Sequence, residues 1–230
     1  MLVLGIDSSS NAATAAVVRD GEVLCEYTQN QKKTHSVKML PMVEAMLADL
    51  ELSVSDIDVF ACGIGPGSFT GVRIGGATVR GFADTLSKPC VAITSLEALY
   101  DNVKYFDGTV ISLVFARENE CYAAIYEQGT EIVAPCVMTV DDIISYAKGK
   151  KCLFVGDGAI ANREALSEVE GAVVADSRHN IISAGAVALI GYRKALSGNV
   201  GTSSVIAPLY LRKSQAEREY DAKHKSEEKQ

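Results

Sequence analysis

Gly63-Ile64-Gly65-Pro66-Gly67-Ser68-Phe69-Thr70-Gly71-Val72-Arg73-Ile74-Gly75-Gly76 follows an apolar run from Val59 to Ile64 and opens a helical pattern that reaches about Leu86. Glycine is used where backbone must take positive φ or lie close to something else. Inside this helix Gly75, Gly76 and Gly81 each cost about 0.8–1 kcal/mol relative to alanine, roughly 2–3 kcal/mol together. A second backbone packed closely against the helix is the expected offset.

Outward from that stretch, the chain reads as two halves with one succession of elements. Leu2–Asp7, Ala12–Arg19 and Glu22–Gln29 have strand patterning, with Asp20-Gly21 as a hairpin turn. A helix is predicted from Thr34 to Leu50, a strand at Val59–Ile64, the glycine-rich helix, a strand at Cys90–Thr94 and a helix from Ser95. Ser95 and Glu97 read as a capping box with the acid one residue early. From Thr109 the order repeats: strands Val110–Phe115, Cys121–Glu127 and Glu131–Met138, with Gln128-Gly129 turning the second hairpin. A helix Val140–Ala147, strand Cys152–Val155, a helix from Ala159, a short strand Ala172–Ala175 and a helix Ile181–Leu196 complete it. Two βββαβαβα units predict an α/β fold of two ribonuclease-H-like lobes, each a mixed sheet flanked by helices, with any ligand between them. The division is placed as residues 1–107, 108–212 and a charged flexible tail, 213–230.

Composition narrows the function classes. The 230 residues carry a net charge of −7 with 48% hydrophobic residues, which suits a chain with a full core and disfavours tight nucleic-acid binding by this chain alone. The start, Met1-Leu2-Val3-Leu4-Gly5-Ile6, has no basic leader, and no segment is apolar and long enough for a bilayer; a cytoplasmic chain is expected. The six cysteines show no CxxC pair or metal-like spacing, and His179 and His224 have no spaced partners, so no metal site is expected.

Two places invite nucleotide chemistry. Asp7-Ser8-Ser9 ends the first strand, where a carboxylate can hold a metal-bound water and backbone amides a phosphate; it reads equally as an Asx turn closing the hairpin. Gly156-Asp157-Gly158 forms a strand–turn–helix junction that can admit a phosphate, or simply leaves the strand. On the helix near residue 40, His35, Met39, Met42 and Met46 mark one side, while Val37, Leu40, Val43, Leu47 and Leu50 form a second stripe expected to face the sheet. Two apolar stripes on one helix call for two partners, one of which can be another chain, although methionine rows also fill irregular cores. A cysteine hydrolase built on Cys62 or Cys90 with His35 is the weakest reading.

Leu4-Gly5-Ile6-Asp7-Ser8-Ser9, Thr34-His35-Ser36 with Leu40-Pro41, Gly65 to Gly75, and Pro208-Leu209-Tyr210-Leu211-Arg212 together resemble the bacterial TsaB family of tRNA threonylcarbamoyladenosine biosynthesis proteins, over nearly the whole chain. The resemblance implies two actin-like lobes and a scaffold role. Such proteins bind the catalytic subunit TsaD, which transfers threonylcarbamoyl to adenosine 37 of tRNA, and work with the ATPase TsaE. Alone they form homodimers through the surface that TsaD would occupy. An older glycoprotease label is shared with TsaD. Where a typical member has Asp-Ala-Arg, this chain has Phe115-Ala116-Arg117. One remaining carboxylate, Asp7, holds a nucleotide-bound magnesium poorly, and TsaD's metal-binding histidine pair has no counterpart. The expected chain is therefore a pseudo-enzyme with no catalytic residues and no cofactor of its own, taking ATP or ADP only weakly at Asp7, Ser8, Ser9, Gly156, Asp157 and Gly158 or in the assembled complex. The competing reading is an autonomous actin-fold kinase or transferase acting on a small molecule.

The expected partner surface combines the methionine side with Ser68, Phe69, Gly71, Arg73, Gly75, Thr78 and Phe82. Its small residues would let a neighbouring helix approach. On that view Gly75→Leu weakens TsaD binding and leaves the lobe folded. The stripe Val72, Gly76, Val79, Ala83 and Leu86 would pack on the lobe's own sheet.

Overall fold

The computed structural model describes residues 1–30 and 35–212. The first half forms β1 (Leu2–Asp7), β2 (Ala12–Arg19), β3 (Glu22–Asn30), α1 (His35–Asp49), β4 (Val59–Gly63), α2 (Phe69–Leu86), β5 (Cys90–Ile93) and α3 (Ser95–Asp101). The second forms β6 (Thr109–Arg117), β7 (Glu120–Glu127), β8 (Thr130–Thr139), α4 (Val140–Ala147), β9 (Cys152–Val155), α5 (Asp157–Ala161), α6 (Arg163–Ser167), β10 (Ala172–Val174) and α7 (Ala184–Leu196). The sheets have orders β3-β2-β1-β4-β5 and β8-β7-β6-β9-β10, so the second repeats the first. In each, the first three strands are antiparallel and the last two run parallel to the first. Both hairpins turn where expected: Asp20 and Gly21 have φ of 51° and 87°, Gln128 and Gly129 of 48° and 86°, the positive values that a two-residue turn matching strand twist requires.

The structure shifts one local expectation. The cap of α3 is Thr94, whose hydroxyl accepts from the Glu97 amide at 3.0 Å. Thr94 and Glu97 therefore have the usual capping spacing, and Ser95 is released for another bond. Helix α1 begins at His35, one residue from the predicted Thr34 start, and carries Pro41 within it.

Each sheet buries one face under its own helices. Leu4, Ile6, Phe60, Met39, Met42, Met46 and Val79 belong to one core, and Ile111, Leu113, Phe154, Ile143 and Leu166 to another. A third core lies between the sheets and joins Val3, Ala61 and Ile93 to Val110, Val114 and Val155 through Leu96 and Leu99 of α3 and Val187 and Ile190 of α7. Helix α3 packs on β6 and β7, whereas α7 lies across β1, β2, β3, β4 and β5. The Ala184 amide donates to Thr14 Oγ1 at 3.3 Å, and Ser183 Oγ donates to Glu26 at 2.9 Å. Beyond α7 the chain stays with the first sheet: Gly201 bridges Cys90, and Ile206 is buried beside Val79. The β-sheets thus divide close to residue 108, but residues 184–210 return to the first lobe, so 108–212 is not a self-contained unit. The tail, 213–230, lies outside the described residues.

Candidate functional site

Ser68 caps α2, its Oγ accepting from the Gly71 amide at 3.2 Å. The β1–β2 turn then seats on the helix's first two turns. The Ser68 amide donates to the Ser9 carbonyl at 2.7 Å. Ser8 Oγ donates to the Gly71 carbonyl at 2.7 Å and accepts from the Gly75 amide at 3.0 Å. A β-carbon on Gly71 would overlap the Ser8 carbonyl, and one on Gly75 would stand 2.8 Å from Ser8 Oγ. The backbone expected against this helix is thus the chain's own first turn. This corrects the partner reading of Gly71 and Gly75: both are buried beneath Ser8, and Gly75→Leu would disrupt the lobe itself.

Asp7 is fully buried. Its Oδ1 accepts from the Ser9 amide at 3.0 Å, and the Ser9 hydroxyl lies 3.0 Å from each carboxylate oxygen. Ser9 Oγ also pairs with Ser95 Oγ at 2.8 Å, while the Ser95 amide donates to the Gly65 carbonyl at 2.8 Å. The acid expected to face a cleft therefore sits in an internal hydrogen-bonded node that ties β1, the glycine loop and α3 together. Cys62 beside it has its thiol pushed far up, first by burial and then by the Asp7 charge. Burial also raises Cys90, to about 11, so neither cysteine is a ready thiolate. The side chain of His35 lies outside the described residues.

In the second lobe the Gly156 amide donates to Asn180 Oδ1 at 2.7 Å, and Gly156 has a φ of 113°. Its missing β-carbon makes room for the Leu113 carbonyl and for Leu99, whose Cδ1 would lie 2.8 Å away. Asp157 Oδ1 accepts from the Phe115 amide at 2.9 Å. Burial raises the Asp157 carboxyl above its ordinary value, against the opposing pull of the backbone amides around it. Phe115 itself is exposed (46%) at the end of β6. The two expected nucleotide elements are brought to opposite ends of one helical turn, Ser95 meeting Ser9 and Leu99 meeting Gly156, and their named polar groups are engaged within the protein. Asn180, which fixes the second turn, had no sequence signal beyond being an asparagine before a helix.

The α1 expectation holds in part: Val43 and Leu47 face inward as expected, and the methionine row takes the core reading. Met39, Met42 and Met46 are buried in the first lobe's core with Val43 and Leu47, so they present nothing to a partner. On α1 the large apolar side chains left exposed are Val37 (68%) and Leu40 (53%). Leu40, Glu44, Leu47 and Phe82 line a groove of about 370 Å³ between α1 and α2. Phe82 is half-buried and stacks on Phe60 at 5.8 Å, and Thr78 Oγ1 donates to the Ile74 carbonyl at 2.9 Å. Of the expected helix stripe, Val72, Gly76, Val79 and Ala83 are buried as predicted.

Ser68 and Arg73 are exposed, but Phe69 and Arg73 are held by the C-terminal segment. Phe69 stacks on Tyr210 with centroids 4.4 Å apart and planes at 6°. Arg73 Nε donates to Tyr210 Oη at 2.9 Å, with the guanidinium carbon 5.5 Å and 5.7 Å from the two ring centroids. The Leu209 amide donates to the Ile64 carbonyl at 2.8 Å, and Arg212 pairs with Glu120 of the second lobe at 3.2 Å. Arg117 pairs with the same carboxylate. The segment Pro208-Leu209-Tyr210-Leu211-Arg212 is therefore a strap from α2 to β7. Among the described residues no cluster of His, Cys, Asp and Glu could hold a metal, and no helix is long and apolar enough to cross a membrane.

Comparison with known proteins places this arrangement. Residues 22–220 match the family model for TsaD, tRNA N6-adenosine threonylcarbamoyltransferase. A Bacillus subtilis protein named tRNA threonylcarbamoyladenosine biosynthesis protein TsaB is 29% identical, over 94% of this chain and 96% of its own. The solved structure of YeaZ from Pseudomonas aeruginosa superposes with a TM-score of 0.76 at 24% identity, covering 91% of this chain and 99% of that one. A more distant structure, the Acidaminococcus fermentans (R)-2-hydroxyglutaryl-CoA dehydratase component A, shares the fold with a TM-score of 0.56 at 13% identity, over 85% of this chain and 99% of its own. The fold is the actin-like one that the repeated sheets describe. The chain belongs to the family described as TsaD, tRNA N6-adenosine threonylcarbamoyltransferase, and is similar to proteins named TsaB.

Proposed function

We propose that this chain is a non-catalytic scaffold and activating subunit in tRNA threonylcarbamoyladenosine biosynthesis. Relatives named for that pathway support a role in it. In the proposed assembly the chain binds TsaD directly and reaches TsaE through the complex, and alone it pairs with a second copy through the same surface. The observation that carries the non-catalytic part is the burial of Asp7 within the Ser9–Ser95 node, which gives a metal–phosphate group no approach to that carboxylate. Phe115 at the end of β6 adds no second acid, and the Gly156 amide is already engaged by Asn180.

The partner surface is assigned to the α1–α2 face. Val37 and Leu40 stand exposed on it, and Leu40 lines the groove that reaches Phe82. An apolar helical face of this kind gains by being covered. The net charge of −7 leaves tRNA binding to other subunits. The chain needs no cofactor of its own; ATP or ADP binds it weakly or only in the assembled complex, and it works in the cytoplasm. Turnover of ATP by the isolated chain tests the catalytic half. The expected result is no magnesium-dependent hydrolysis above buffer, and hydrolysis that Asp7→Ala abolishes would install the autonomous kinase or transferase instead.

A further inference from the structure

Arg73 and Arg80 stand two helical turns apart on the side of α2 opposite Phe82, given about 100° per residue. Between them lies a cavity of about 290 Å³ floored by Ile64, Val72 and Ile206 and walled by Tyr210. The chain is acidic, and Arg117, Arg193 and Arg212 are each held by a carboxylate. Arg73 and Arg80 have no carboxylate partner among the described residues. Arg73 is nevertheless fixed. Its Nε–H is taken by Tyr210 Oη and its plane is set beside the Phe69 and Tyr210 rings, which leaves the N–H groups of both Nη atoms for another acceptor. A guanidinium oriented in advance presents the fork that carboxylate and phosphate oxygens match in pairs.

We infer that this cavity is a binding site for a small organic anion, a carboxylate or phosphate ester on an apolar body, with Arg73 and Arg80 taking the anionic group and Ile64, Val72 and Ile206 the apolar part. The volume lies at the small end of ligand pockets, which run from about 300 to 1,000 Å³, so the ligand has the size of an amino acid and not of a dinucleotide. The site stands apart from the α1–α2 groove, and its test uses the isolated chain, so it holds or fails independently of the TsaD assignment.

The full chain, labelled with 15N, is titrated with benzoate, phenyl phosphate, inorganic phosphate and the neutral benzamide while the arginine Nε–Hε resonances are followed. Benzoate and phenyl phosphate should give saturable shifts at Arg73 and Arg80, with inorganic phosphate weaker and benzamide silent. Arg80→Gln, at an exposed position that leaves the fold intact, should weaken benzoate about tenfold, the ratio that losing one charge-assisted hydrogen bond gives. Arg73→Lys keeps the charge but loses the planar fork, and should weaken it comparably. Several outcomes overturn the site: equal response to benzamide, inorganic phosphate as tight as phenyl phosphate, shifts spread over the exposed Arg19 and Arg178, or Arg80→Gln without effect.

Discussion

The hydroxyl of Ser8 accepts the amide hydrogen of Gly75 at 3.0 Å while donating to the Gly71 carbonyl at 2.7 Å. Those are the two groups that an i→i−4 bond joins in a regular helix, so a side chain from β1's end is stitched into the ladder of α2. The glycine-rich helix start is thereby explained by an internal contact.

Ser8→Ala leaves a buried amide and carbonyl without that hydroxyl. It should lower stability by about 1–3 kcal/mol, read as a shift in the urea midpoint with unchanged slope. Gly71→Ala and Gly75→Leu should fail to give a cooperatively folded chain. Gly81 is exposed, and a β-carbon added there would meet nothing within 4 Å, so Gly81→Ala should stabilise by about 0.8–1 kcal/mol. A destabilised Gly81→Ala would mean that the surface of α2 is not open there.

Why α2 needs glycine was legible only in part. The penalty for Gly75 and Gly76 called for a close backbone, but nothing local named Ser8 and Ser9, more than 60 residues away. The element order was readable because alternation and turn pairs such as Asp20-Gly21 act locally. On α1 both stripes are apolar, so periodicity could not rank them, and packing turned Met39, Met42 and Met46 inward and Val37 and Leu40 outward. Sequence order likewise hid the return of α7 to the first sheet, and the stack of Tyr210 on Phe69 joins positions that no spacing rule connects.

Substitutions on the two sides of α1 should behave oppositely. Met42→Ala empties core volume and should cost about 2–5 kcal/mol in thermal or denaturant unfolding. Leu40→Asp should leave the melting temperature nearly unchanged and remove self-association. Equal destabilisation by both would show that Leu40 is packed within the lobe.

Asp157 gives the chain a pH signature. Its folded-state pKa is raised by burial, so the contribution of the protonated form is fully present below the ordinary value of 3.8 and is lost as pH rises through the raised one. Asp157→Asn keeps an oxygen for the Phe115 amide without the buried charge. It should match the wild type in acid and exceed it in stability near neutral pH. A stability gap that instead favours the wild type more as pH rises would contradict the burial argument.

The strap should be separable from the lobes. Tyr210→Ala removes the stack on Phe69 and the acceptor for Arg73, a loss of about 0.5–1.5 kcal/mol for the ring pair alone. Hydrogen exchange at the Leu209 amide, which donates to Ile64, should accelerate severalfold while amides of β1 and β4 stay protected. Uniform acceleration across the first sheet would show instead that the strap is part of the core.

The proposed binding of TsaD to the α1–α2 face is best probed by light scattering on a sizing column, with the chain alone and then mixed with TsaD from the same organism. A homodimer peak should give way to a heteromeric complex, and Leu40→Asp should abolish both species while remaining folded. A complex formed equally well by Leu40→Asp, or none with the wild type in the presence or absence of nucleotide, would place the interface elsewhere or remove the scaffold role altogether.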